Sequence, residues 1–188
     1  MIQVVDYQPN WSLEFEALKT VFNNALGDIN CPIEHVGSTA VPGLAAKPIL
    51  DIDIIVSDEA QLHQVIPLIT ALGYEFAGEM GIKDRYAFNA VSNLNPDNRK
   101  GMIWPAHHLY CCIAGSPALN NHLLFRDALR SSPELVMEYG QLKKELAAST
   151  NDIDTYVNSK SSFITAVLDK AGLSSELIKE ITLQNKKK

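Results

Sequence analysis

An α/β (α+β) chain, a half of mixed strands and helices followed by a C-terminal helical segment, is the fold class that the sequence predicts. Three observations predict it. Short apolar runs of strand type alternate with helix-period segments as far as about residue 115. Two Ser-Pro helix starts follow from Ser116 onward. No internal repeat and no long linker interrupts the chain, so residues 1–115 are expected to form an α/β core, with residues 116–188 packed on it as part of the same unit.

Taken in order, Phe15, Leu18, Val21, Phe22 and Ala25 recur at helical spacing from about Ser12, and Gly27 stands where a helix C-cap belongs. Ile33 to Val36 reads as a short strand ending at Gly37. "TAVPGLAAK" suits one helical turn, which Pro48 stops before a strand over Ile49 to Val56. Leu62, Val65, Ile66, Ile69 and Leu72 share one helical face over residues 59–72, closed by Gly73. "YEFAGE", "RYAFNAV" and "HHLYCCIA" read as three more strands, and the turn-rich "SNLNPDNRKGMIWP" between the last two as an exposed loop. "SPALNNHLLFRDALR" and "SPELVMEYGQLKKELAA" each place Ser at the N-cap and Pro at the first helical position. "NDIDTYVNSKSSFITAVLDKAG" carries a single apolar stripe, Ile153, Tyr156, Val157, Phe163, Ile164, Val167 and Leu168, and the terminal "QNKKK" is expected to fray.

Composition narrows the function classes. In 188 residues the formal net charge is −6, which argues against a uniformly basic nucleic-acid coat, and "RKG" at 99–101 is too short for a basic patch. A nucleic-acid polymer is therefore not an expected partner. Cys31, Cys111 and Cys112 form neither a disulfide framework nor a zinc spacing, which fits a reducing cytoplasm. The N-terminus lacks the pattern of a secretory signal, and no run approaches the roughly 18 apolar residues of a membrane span. A soluble cytoplasmic protein, neither secreted nor membrane-spanning and with no membrane partner, is expected.

The chemistry concentrates in "HVGSTAVPGLAAKPILDIDIIV". Side chains alternate along a strand, so Asp51, Asp53 and Ile55 share one face while Leu50, Ile52, Ile54 and Val56 share the other. The two carboxylates start roughly 7 Å apart, close enough to converge on one or two divalent cations. A strand with one solvent-facing side would explain the pair equally simply. Gly37 and Ser38, however, begin a turn before a helical segment, where Gly lets backbone N–H groups approach a phosphate and Ser adds a hydroxyl donor. Phosphate turn plus acid pair is a more specific signal than either part.

With these residues in hand, the chain resembles the GrpB family, which shares the fold of the polymerase-beta-type nucleotidyltransferase superfamily. The resemblance is carried by "EHVGSTAVPGLAAKPILDIDIIV", "HHLYC", "LLFRDALRSSPELVMEYGQLKKELA" and "YVNSKSSFI", and runs from "YQPNW" to near Ala171. It implies a nucleotidyltransferase-like fold, a small mixed β-sheet flanked by helices, with Gly37-Ser38 as the nucleotide-phosphate turn and Asp51 and Asp53 as the acid pair that binds Mg²⁺ or Mn²⁺. It further implies a nucleoside triphosphate as substrate and a small hydroxyl compound as acceptor.

The chain departs from the superfamily pattern at the third carboxylate, which is usual on a later core strand. "HHLYCCI" holds no Asp or Glu. His108 shares a face with Tyr110, and His107 with Leu109 and Cys111, so a histidine, with His108 preferred, is the candidate ligand or base. A structural, hydrogen-bonded histidine is the plainer account of either. Lys160 lies between Tyr156 and Ile164 on the apolar stripe, and Arg126 follows Leu119 and Leu123 on another; each either snorkels to solvent or turns toward phosphate. Lys47, beside Pro48, is a further phosphate candidate, and Arg85 either faces the pocket or makes a surface ion pair. The functional expectation is a Mg-dependent nucleotidyltransferase; the alternative is a noncatalytic nucleotide-binding module that retains the fold.

Overall fold

The structure is a computed structural model and describes residues 2–97 and 101–179. The terminal "QNKKK" and the Arg99-Lys100 pair of "RKG" lie outside the described residues. The chain divides into two compact units. One, the sheet unit, takes Pro9–Val36 and Ile49–Asn120; the other, the helical unit, takes Gly37–Pro48 together with the residues before Pro9 and after Asn120.

The sheet unit begins with α1 (Asn10–Leu26), two residues earlier than the apolar spacing suggested. Next come β1 (Ile33–Val36), β2 (Leu50–Val56), α2 (Glu59–Thr70), β3 (Tyr74–Gly78), β4 (Arg85–Ala90) and β5 (His107–Ile113). Among the described residues the five strands form one sheet in the order β1-β2-β5-β4-β3. The β2–β5 pair is parallel; the β1–β2, β4–β5 and β3–β4 pairs are antiparallel.

Register makes the apolar face of β2 part of a continuous row. His35, Ile52, Leu109, Phe88 and Phe76 pair successively across all five strands. Helices α1 and α2 cover this face with Trp11, Phe15, Leu18, Phe22, Leu62, Val65 and Ile69, all buried, and Phe15 stacks on His35 with ring centroids 4.7 Å apart. Burial of this apolar area is what stabilises the unit, at roughly 25 cal/mol per Å² removed from water. The connector between β4 and β5 is less exposed than its composition suggested. Asn95 and Trp104 are buried, Asn95 donating through Nδ2 to the Leu72 carbonyl (3.0 Å) and Trp104 through Nε1 to that of Pro96 (2.9 Å).

His107 belongs to the covered face. Its Nδ1 donates to the Pro105 carbonyl (2.8 Å), which leaves Nε2 as acceptor for the Tyr74 hydroxyl. Burial holds His107 below its ordinary value of 6.5 and raises the Tyr74 phenol. Because the unfolded chain takes up the His107 proton first as pH falls, stability is fully present above about pH 6.5 and declines below it. The slope of melting temperature against pH between 7.5 and 5.5 is expected to be shallower in His107→Gln than in the unsubstituted protein; equal slopes would contradict this.

In the helical unit, α4 (Pro133–Ser149) starts as expected, with the Ser132 side chain accepting from the Leu135 N–H. Helix α3 (Pro117–Arg130), whose residues up to Asn120 belong to the sheet unit, likewise begins at Pro117, with the Ser116 hydroxyl accepting from the Leu119 N–H (3.3 Å). The core gathers Val41, Leu44, Leu129 and Tyr139, with Phe163 stacked on Tyr139 at 4.7 Å. The single C-terminal stripe resolves into two helices, α5 (Ile153–Ser159) and α6 (Ser161–Lys170), so Lys160 sits at the junction rather than within one helix. Asp152 caps α5 by accepting from Thr155. No helix among the described residues is long and apolar enough to cross a membrane.

Candidate functional site

Opposite the helix-covered face, register assembles the sheet's polar side. Val36, Asp51 and His108 form one row; Glu34, Asp53, Tyr110 and Ala87 the next; Ile55, Cys112 and Arg85 the third. The two aspartates differ sharply in setting. Asp53 is fully buried (0% exposed), whereas the Asp51 side chain is 32% exposed and the His108 side chain 51%. His108 Nδ1 donates to Asp51 Oδ1 at 2.9 Å. Asp51 Oδ2 and His108 Nε2 then retain lone pairs for other partners.

Cys112 hydrogen-bonds to Asp53; burial first, and the Asp53 charge second, push its thiol well above the ordinary range. Burial does the same to Cys111. Neither is a ready thiolate nucleophile. The carboxylates themselves suit a hard divalent cation, since Mg²⁺ and Mn²⁺ take oxygen donors and Mg²⁺ is commonly held by one or two carboxylates plus phosphate and water. On donor chemistry the residues fit.

Of the sequence candidates, Asp51, Asp53 and His108 are thus brought together. Glu34, which was overlooked, joins them. It stands opposite Asp53 in the β1–β2 pair, a signal available from period-two alternation on β1 once the antiparallel register is known. Arg85 also departs from the simpler expectation: it is buried on the Tyr110 ring, not engaged in a surface ion pair.

The remaining candidates lie in the helical unit. Gly37 has φ 69° and ψ −167°, a conformation essentially restricted to glycine, and leads into a 3₁₀ turn over Ser38–Ala40. Arg130 donates to the Ala40 carbonyl through both Nε (3.0 Å) and Nη2 (2.8 Å), holding the end of that turn. Arg130→Gln is expected to lower stability by about 1–2 kcal/mol, read from the midpoint of urea unfolding; an unchanged midpoint would show the clamp to be idle. Lys47 and Lys160 converge on the buried Tyr156, their ammonium nitrogens 5.5 and 4.3 Å from its ring centroid. Burial pushes the Tyr156 phenol up to about 12. Arg126 is buried and donates from Nε to Asp127 Oδ1 at 2.8 Å.

Comparison with known proteins adds four findings. A family model described as GrpB protein matches residues 1–170. The UPF0157 protein YqkA of Bacillus subtilis is 34% identical over 171 residues; the match takes in 90% of this chain but 47% of that protein, so the chain spans about half the length of this relative. Among solved structures, the conserved protein GrpB from Enterococcus faecalis is similar at a TM-score of 0.74 and 35% identity, over 90% of this chain and 96% of that one. Cid1 in complex with its short product ApU aligns at a TM-score of 0.54 and 14% identity, over 86% of this chain and 49% of that one. Such distant likeness speaks to the fold, which is nucleotidyltransferase-like.

Proposed function

Since this chain belongs to the GrpB family, we propose that it is a magnesium-dependent nucleotidyltransferase, moving a nucleoside monophosphate from a triphosphate to a small hydroxyl acceptor. The observation that carries the reading is a fully buried Asp53 beside a half-exposed Asp51 that His108 orients, on one face of a sheet of nucleotidyltransferase-like fold. A buried carboxylate that shares its strand face with a second, part-exposed one makes a site for a cation, and a divalent cation is the one that oxygen donors select.

In this reading Asp51, through Oδ2, and Asp53 hold Mg²⁺ or Mn²⁺, and Glu34 supplies a third carboxylate to the same face. Bound metal would neutralise charge on the triphosphate and polarise the α-phosphate. Gly37 and Ser38 follow directly in the chain after Val36, the residue paired with Asp51, and are assigned to the phosphates. His108, its ring fixed by the bond from Nδ1 to Asp51, takes the acceptor's hydroxyl proton on Nε2. The acceptor oxygen bonds to the α-phosphorus, the bond from that phosphorus to the bridging oxygen breaks, and pyrophosphate leaves with the electron pair. Little covalent work falls to the protein; position and charge do most of it.

A second reading, a nucleotide-binding module without turnover, draws on one observation: β5, "HHLYCCI", contains no carboxylate. Isothermal titration with ATP, CTP, GTP and UTP, with and without Mg²⁺, tests the site; metal-dependent binding of at least one is expected, and its absence for all four rejects both readings. Pyrophosphate release across a panel of small hydroxyl compounds then separates them. Binding without release from any acceptor would favour the module.

A further inference from the structure

Arg85 opens β4 and pairs in register with Cys112, so its side chain leaves the sheet on the face that carries Asp53. It is 8% exposed. Its guanidinium carbon lies 4.5 Å from the Tyr110 ring centroid, and its Nε has no hydrogen-bond partner among the described residues. Stacking on an aromatic ring offsets part of the cost of desolvating a guanidinium, but it satisfies no in-plane donor, and the Nε–H is left open. A buried cation in that state is poised for an anion that arrives from outside, and the planar fork of arginine matches an oxyanion in two-point contact.

We propose that Arg85 binds an oxyanion of the acceptor, which makes the acceptor an acidic small molecule bearing a carboxylate or phosphate. This rests on the transferase reading, and strand order selects the acceptor over the nucleotide. Val36, the last residue of β1 and the one before Gly37 in the chain, stands on one side of β2, while Arg85 stands on β4, beyond β5, on the other. Two strand spacings separate β2 from β4, roughly 10 Å. A molecule spanning that interval presents its hydroxyl beside Asp51 and His108 while its oxyanion rests on Arg85.

The test needs neither nucleotide nor metal. The Nε–H resonance of Arg85 is followed in the ¹⁵N-labelled protein as inorganic phosphate, or separately malonate, is added; the two arms distinguish phosphate from carboxylate. A saturable shift with at least one anion is expected. Arg85→Met should weaken that anion's binding at least tenfold, measured calorimetrically, and Arg85→Lys should weaken it less. No saturable shift with either anion, or Arg85→Met binding as the parent does, overturns the proposal. Because the nucleotide titration does not involve Arg85, a failure of the transferase reading would register there instead.

Discussion

Asp53→Asn is expected to abolish metal-dependent nucleotide binding and to reduce any transfer by on the order of 10³-fold, the scale on which a single electrostatic contact to developing charge acts. The substitution is nearly isosteric, so the row that runs through Glu34, Asp53, Tyr110 and Ala87 keeps its shape while losing one of its negative charges. Asp51→Asn should act in the same direction and additionally weaken the bond that His108 donates to Oδ1. His108→Ala, which leaves both carboxylates in place, should spare metal-dependent binding and slow transfer by about 10²-fold. Titration calorimetry with Mg²⁺ and the preferred nucleotide, alongside circular dichroism to verify that the fold survives, decides the matter. Parent-like affinity in Asp53→Asn would remove the metal site from consideration.

Ile52→Ala should cost about 2–5 kcal/mol of unfolding free energy. Ile52 is fully buried, second in the five-strand row, flanked in register by His35 and Leu109 and covered by helices on that side. Truncation there removes three carbons from a site walled by strands on both sides, which cannot collapse to fill the void. The loss is a large share of the 5–15 kcal/mol typical of a whole domain. Ile52→Val, which removes one carbon, should cost about 0.5–1.5 kcal/mol. Urea unfolding of both variants checks the ratio; equal losses would mean that the site relaxes freely.

Much of this architecture was legible because local signals and tertiary demands agreed. β1 falls on the span read from "IEHV", and both Ser-Pro starts became helix N-termini, because a capping hydroxyl and a fixed proline φ act within a few residues and need no distant partner. The Asp51-Asp53 alternation was equally local. Less local features escaped. Glu34 is unremarkable until β1 is laid antiparallel against β2, and Arg85 looks like an ordinary surface cation until β4 is set beside β5. Pairing across strands distant in the chain decides both, and composition carries no record of it. The break at Lys160 was missed for a different reason: both flanking helices keep apolar residues at compatible spacing, so periodicity continued where the helix did not.

The parallel partnership of β2 with β5 carries a kinetic consequence. Before Asp51 can meet His108, residues 57–106 must close as a loop, and that intervening stretch holds α2 and the β3–β4 hairpin. Contacts between residues far apart in the chain bear their ordering entropy early and are rewarded late, so the α2 and hairpin segments should consolidate first. The acidic surface would then be among the last features of its unit to mature during folding.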